Sequence, residues 1–231
     1  MKLSVIIITF NSERIISDAI KSALFADEIL ILDSGSDDKT VEIAGNLGAR
    51  VEHQKWLGFG KQKQRAVELA KNDWIFVLDS DERITDMLKD EILSALQKAD
   101  FDGYLIPRLN YFFGKSIKHC GLYPDYTIRL FNRNLGYFTD DDVHERVIMK
   151  GKIGTLKNHM IHHAYDTVEE FIAKQNRYST LSSKSSKTKA LIAPLWTFLR
   201  IFCLKLGFLD GWRGFVIAKL YSQYTFWKYI K

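Results

Sequence analysis

Cysteine and proline are scarce in this chain of 231 residues, which holds two of the first, Cys120 and Cys203, and three of the second. Two cysteines so far apart follow no metal-ligand spacing and are too few to staple a chain of this size. That excludes a disulfide scaffold and a zinc ribbon and points to a reducing compartment. No apolar run reaches the roughly 18 to 20 uninterrupted residues of a membrane-spanning helix. Ala190 to Leu204 comes nearest, but Arg200 and Pro194 interrupt it, so it is read as lying on a membrane rather than crossing one. Also missing are a Walker lysine and a full glycine fingerprint, so Ser34-Gly35-Ser36 is not read as a phosphate loop. Acids all but vanish near the end: from Ile172 onward eleven Lys and Arg face a single acid, Asp210. No nucleic-acid motif accompanies this charge, so nucleic acid is not an expected partner. Its aromatic and aliphatic content suits an anionic membrane surface, with packing on the enzyme or on a second subunit as the other reading. Met1-Lys2 leads straight into an apolar pattern that stops by Phe10, too short for a signal peptide. The expected location is therefore the cytoplasm, peripherally on the inner face of the cell membrane.

With 46% hydrophobic and 26% charged residues, the chain has the balance of a globular protein with a substantial core. Lys2 to Phe10 reads as a buried strand followed by a helix over about 13–23. Glu28 to Asp33 and then a helix over about 39–47 repeat the pattern. A short strand at 51–54, a helix over 61–71, a strand from Trp74 and a helix over about 86–97 continue it. Strands alternating with helices predict an α/β fold with a mostly parallel sheet and ligands beyond the carboxyl ends of its strands. From Gly103 the character changes to short strands, GYLIPRL, YTIRLF and HERVIM, expected to extend or flank that sheet.

Within this frame the stretch WIFVLDSDER, Trp74 to Arg83, stands out. An apolar strand delivers Asp79 and Asp81 to its own end, and the alternation of an extended chain turns both the same way. Two carboxylates on one side suit a hard divalent cation, Mg²⁺ or Mn²⁺, shared with a nucleotide diphosphate. Asp33 ends the second strand in the same crevice, where an acid can accept hydrogen bonds from a nucleobase or ribose; Asp37 and Asp38 read as first-turn acids of a helix. Lys61, Lys63 and Arg65 read as a solvated helix face, with one of them able to neutralise diphosphate if it faces the crevice. Asp140-Asp141-Asp142 with His144 and Glu145 gathers proton acceptors beside a strand start, although such runs are commonly solvated turns. His159, His162 and His163 read as surface or hydrogen-bonded residues.

Taken together, SVIIITFN, LDSGSDDKT and WIFVLDSDE, in this order and spacing, resemble the inverting family-2 glycosyltransferases of the GT-A fold. YPDYTIRLFNR, VHERV, HHAYDTVEEF with KQNRYS, and GFLDGWRGF resemble the bacterial branch that adds glucose or a similar sugar to the lipopolysaccharide inner core. The resemblance implies a UDP-sugar donor, a divalent cation (Mg²⁺ or Mn²⁺) and a lipopolysaccharide-core or other glycolipid acceptor. It implies a nucleotide-sugar-binding half over 1–105, an acceptor-binding half over 106–165 and a basic, aromatic helical region over 166–231. It places Thr9, Asn11, Asp33 and Asp79 at the nucleotide-sugar; Lys61 and Arg65 are candidates beside the diphosphate from their place on the helix alone. Asp81, then Asp79, are the implied metal ligands; Glu82 and His144 lie toward the acceptor; Glu145 is the implied base, with Asp142 as runner-up. Ser34 stands where relatives commonly carry a second acid, leaving Asp33 alone at the base. Two other readings stay open on the residues: a nucleotidyltransferase, and a catalytically silent membrane-associated binding protein.

Overall fold

The computed structural model describes residues 1–140 and 145–231. Its first part alternates β1 (Leu3–Thr9), α1 (Ile16–Ser22), β2 (Glu28–Asp33), α2 (Thr40–Asn46), β3 (Arg50–His53), α3 (Phe59–Leu69) and β4 (Trp74–Val77). β1 runs parallel to β2 on one side and to β4 on the other, and β3 runs parallel beside β2. The reason is visible in the residues. Successive side chains of a strand point to opposite faces, so a strand covered on both faces must be apolar throughout, as Val5-Ile6-Ile7 and Leu30-Ile31-Leu32 are. Val5, Ile7, Ile31 and Phe76 pack with Ile16 and Ile20 of α1. Ile6, Leu30, Leu32 and Val77 pack with Ala66 and Val67 of α3 on the other face.

The chain continues through β5 (Glu82–Ile84), α4 (Asp86–Lys98), β6 (Gly103–Phe112), β7 (Lys115–Ser116), β8 (Asp125–Asn132), β9 (Gly136–Phe138), β10 (Val147–Met149), β11 (Ile153–Thr155) and β12 (Met160–Tyr165). Among the described residues the main sheet runs β3-β2-β1-β4-β8-β6-β12-β5, with β7 and β11 also on β6. β8 lies antiparallel against β4, so YTIRLF extends the first sheet as its apolar alternation predicts. HERVIM does not: Val147–Met149 pairs with β9 in a separate antiparallel hairpin. Phe131 and Met149 close over Gly136, where any Cβ would lie 2.5 Å from the Met149 sulfur.

Two compact units emerge, one of residues 1–108 and 126–161, the other of 109–125 and 162–231. Residues 106–165 thus contribute to both. The second unit holds α5 (Val168–Leu181), α6 (Lys187–Leu199), a π-helical turn (Arg200–Leu204), a 3₁₀ turn (Gly207–Asp210) and α7 (Trp212–Ile230). Its core gathers Phe112, Ile117, Tyr165, Phe171, Ile201 and Ile217. α5 begins on a reciprocal cap, Thr167 accepting from the Glu170 N–H while Glu170 accepts from the Thr167 N–H. No helix among the described residues is long and apolar enough to cross a membrane.

Candidate active site

The site is built by loops at the carboxyl ends of β1, β2 and β4. Thr9 and Asp33 are register neighbours there. Asp33 is buried, and its carboxylate folds onto its own loop: Oδ2 accepts from the N–H groups of Gly35 at 2.8 Å and Ser36 at 2.9 Å, and Oδ1 from the Ser36 hydroxyl. Gly35 takes φ +103°, a left-handed backbone that lets the loop turn back on Asp33. Asn11, also left-handed at φ 48°, ties the β1 loop to this one: its N–H donates to the Ser36 hydroxyl and its side-chain oxygen accepts from the Asp37 N–H. Asp38 accepts from Thr40, as a residue opening a helix does. The Thr9 hydroxyl is buried and, among the described residues, has no hydrogen-bond partner. Leaving such a group unsatisfied costs about 1–3 kcal/mol, so it is poised to take a polar partner.

β4 ends one residue before Leu78, and the next turn is organised by Glu82. Glu82 is fully buried; Oε2 accepts from the Asp79 N–H at 2.9 Å, and Oε1 takes Arg129 Nη2 at 2.5 Å, with Arg108 Nη1 at 3.5 Å. Arg129 reaches from β8 and also grips Asp79 Oδ2 at 2.8 Å. On the other side of Asp79, Oδ1 lies 3.0 Å from Lys63 Nζ. The same ammonium is 3.0 Å from Glu145 Oε1. Burial favours the neutral form of Asp79, but Arg129 and Lys63 overcome it and hold the carboxyl well below the usual carboxylate range. Burial likewise pushes the Arg129 guanidinium down, and Asp79 and Glu82 more than reverse it, so its pKa lies above the ordinary arginine value.

α3 places Lys63, and glycine places α3. A Cβ on Gly60 would lie 2.1 Å from the backbone oxygen of Thr139, so only glycine lets the helix meet the β9–β10 hairpin this closely. Gln64 accepts from the Phe138 N–H across the same contact. Just before β10, the Thr139 N–H donates to the Arg146 carbonyl, next to Glu145. Lys63 and Glu145, 82 residues apart, thus meet in one ion pair.

Several sequence expectations change here. Lys61 and Arg65 lie on the exposed side of α3, paired with Asp140 at 3.1 Å and Glu68 at 3.4 Å; Lys63 is the buried one. Helical period explains it: Lys63 shares a face with Ala66, Val67 and Ala70, whereas 61, 65 and 68 point away. Glu82 offers an acceptor no exposed surface, since its carboxylate serves Asp79 and two arginines. Arg129 escaped the sequence reading, although a lone arginine inside the apolar alternation of YTIRLF signals a buried cation. Asp142 and His144 lie outside the described residues. Of the histidines, His162 Nδ1 sits 2.6 Å from Asn110 Oδ1 and His163 packs on the Tyr111 ring.

A hard divalent cation takes one or two protein carboxylates and completes its shell with water and phosphate oxygens. Half-buried Asp81 fits that requirement. Asp79 does not while both its oxygens lie on cationic side chains, and among the described residues no three His, Cys, Asp or Glu form a ready cage. A hollow of about 430 Å³ lined by Glu28, Arg50 and Lys71 lies at the opposite, amino-terminal ends of the strands. Glu28 is consumed there by Ser4, Arg50 and the Lys71 N–H, so the hollow carries no comparable chemistry.

Residues 4–153 match the model of Glycosyl transferase family 2. The whole chain is 31% identical to an uncharacterized glycosyltransferase of Rickettsia bellii (strain RML369-C), covering 85% of it. Over 98% of the chain and 90% of the relative, it is 29% identical to the lipopolysaccharide core biosynthesis glycosyltransferase LpsC of Rhizobium meliloti (strain 1021). Among solved structures, S. aureus TarS 1-349 in complex with UDP matches with a TM-score of 0.52 at 18% identity, over 91% of this chain and 75% of that one. That likeness bears on the fold, and the α/β, GT-A-type architecture expected from the sequence stands. On the family match over most of its length, this chain belongs to glycosyltransferase family 2.

Proposed function

We propose that the chain is an inverting hexosyltransferase, moving a sugar, glucose by the closest reading, from a UDP-sugar to a glycolipid acceptor such as the lipopolysaccharide inner core. One observation carries the reading: Lys63 Nζ lies 3.0 Å from both Asp79 and Glu145, so a candidate base and the acidic loop after β4 share one crevice. The acceptor assignment leans on the likeness to LpsC and on the sequence resemblance; the donor assignment leans on the family and on the UDP complex of a protein with the same fold.

The acceptor hydroxyl attacks the anomeric carbon from the face opposite UDP. Its O–H proton passes to a Glu145 oxygen, the new C–O bond forms as the bond to the diphosphate oxygen breaks, and UDP departs with inverted configuration at carbon. Thr9, Asn11 and Asp33 hold the nucleoside end, with the unpartnered Thr9 hydroxyl as one contact. Asp81 would hold a divalent cation against the diphosphate, and that cation supplies charge stabilisation for the leaving group. Lys63 keeps Glu145 aimed and adds a fixed positive charge to the crevice, and Glu82 with Arg129 and Arg108 fixes the Asp79 backbone from behind.

Calorimetric titration of UDP and UDP-glucose, with Mn²⁺ or Mg²⁺ and again with chelator, tests the donor site. Binding of both nucleotides that weakens with chelator is expected; absence of binding under every condition removes the UDP-sugar assignment. Incubation with donor and a lipopolysaccharide-core acceptor should release UDP and form the inverted anomer. Release of the sugar 1-phosphate, with UMP carried to the acceptor, would instead favour a nucleotidyltransferase.

A further inference from the structure

We infer that the second unit carries a docking face for an anionic lipid bilayer, formed by the outer side of α6 and the two short turns that follow it. This deepens the glycolipid reading above by naming the surface on which such an acceptor is met, and it is tested without any turnover. The first observation is that α6 is built inside out. Leu191, Ile192, Leu195 and Trp196 are 79, 64, 63 and 58% exposed, and with Leu199 they share one side of the helix at spacings of one, four, five and eight residues. The side facing α7 holds no leucine; beside Phe198 it carries small and hydroxyl-bearing residues. There the Ser222 hydroxyl donates to the Pro194 carbonyl at 2.8 Å, the Thr197 and Thr225 hydroxyls meet at 3.2 Å, and small Ala190 is buried. A helix whose only destination is a protein core keeps its leucines inside.

The apolar face does not end with α6. Phe198 stacks on Phe202, and Phe215 meets both edge to face as Phe208 meets Phe202, across α6, both turns and α7, with ring centres 5.5 to 6.3 Å apart. Gly207 and Gly214 let the turns pack this tightly: a Cβ on Gly214 would lie 1.8 Å from the Gly207 carbonyl oxygen. Phe208 and Leu209 stay about half exposed at the tip of the 3₁₀ turn, and Trp212 beside them is 58% exposed.

Charge selects the occupant. Lys187, Lys189, Arg200 and Lys205 border the apolar side, all exposed. Asp210 offers no compensation, because it accepts from the Lys118 and His119 N–H groups and lies 3.1 Å from the His119 ring. A second copy meeting this face by a twofold axis would set one basic rim against another. Anionic headgroups neutralise the rim while Trp and Leu enter the acyl boundary, and a helix of 13 residues, about 20 Å long, lies along a bilayer but does not cross its ~30 Å core.

The test is co-sedimentation of the full chain with vesicles of phosphatidylcholine alone and of equal parts phosphatidylethanolamine and phosphatidylglycerol. Binding is expected only to the anionic vesicles, falling when salt approaches ~1 M, where screening shortens to about 3 Å. The combined variant Leu191→Ser, Leu195→Ser, Trp196→Ser should bind at least about tenfold more weakly while melting like the parent chain. Should that variant fold poorly, Trp196→Phe in the otherwise unaltered chain should lose part of the tryptophan quenching given by brominated anionic lipid. No binding to anionic vesicles at low salt overturns the inference. So does undiminished binding of the serine variant, or a dimer in the parent chain that the serine variant abolishes with no lipid binding in either.

Discussion

Lys63 decides more about the crevice than any acid does. Its ammonium bridges Asp79 and Glu145, so its loss should be felt through the proposed base and not only through the donor. Glu145→Gln is expected to keep UDP affinity while turnover falls by about 10² to 10⁴. Lys63→Met should also lower turnover, and in the Glu145→Gln background it should cost little more. Initial rates of the four chains would reveal this coupling, expected at about 1–3 kcal/mol; additive losses would mean that Lys63 does not act through Glu145. If Glu145→Gln is itself fully active, the base assignment fails first. Gly60→Ala belongs to the same argument. A methyl 2.1 Å from the Thr139 carbonyl must push the hairpin from α3, costing about 1–3 kcal/mol in denaturant stability, with turnover falling further than the melting curve alone accounts for. The acids Asp33, Asp79 and Asp81 were legible because each follows an apolar strand. Lys63 was legible only in part: periodicity separates it from Lys61 and Arg65, but its partner Glu145 lies far along the chain and no local pattern announces the meeting.

At the scale of elements, what sequence revealed depended on how completely an element is buried. β1, β2 and β4 are continuous apolar runs and read directly as parallel strands. β5, β9 and β11 are three residues each and take their shape from neighbours, so no periodicity of their own could show them. β5 matters most, because Glu82 is its first residue and the buried knot on Arg129 fixes the turn before it. Glu82→Ala leaves Arg129 buried without one of its carboxylates and is expected to destabilise by about 3–5 kcal/mol, measured by urea unfolding. Glu82→Asp, which keeps the charge but shortens its reach, should lose less. α5 shows the opposite case: Thr167 and Glu170 spell the reciprocal cap in the sequence itself. Thr167→Ala should cost about 1 kcal/mol in the second unit, seen as a lowered melting temperature with UDP binding unchanged.

Across the whole molecule the acids divide by strand end. Those at the carboxyl ends serve the crevice, whereas Glu28 at the amino-terminal end of β2 serves stability, joining β1 through the Ser4 hydroxyl, β3 through Arg50 and the α3–β4 turn through the Lys71 N–H. The sequence carries the first group openly, since strand–turn boundaries expose it. Glu28 gives no such sign, because its partners are scattered over the fold, and the hairpin return of the chain into a second unit is hidden for the same reason. Burial pushes the Glu28 carboxyl up, but Ser4, the Lys71 N–H and Arg50 outweigh it, and its pKa lies below the ordinary value. A carboxyl with a lowered native pKa binds its proton more weakly in the folded chain than in the unfolded one. Its contribution is therefore fully present above the unfolded value, about 4.3, and is lost as pH falls through the native value. Urea midpoints measured from neutral pH down through that window should decline in the parent chain. Glu28→Gln should start about 1–3 kcal/mol lower at neutral pH and decline less steeply, because the group that loses its charge is gone. Parallel acid limbs in the two chains would show that Glu28 is not where the acid sensitivity resides.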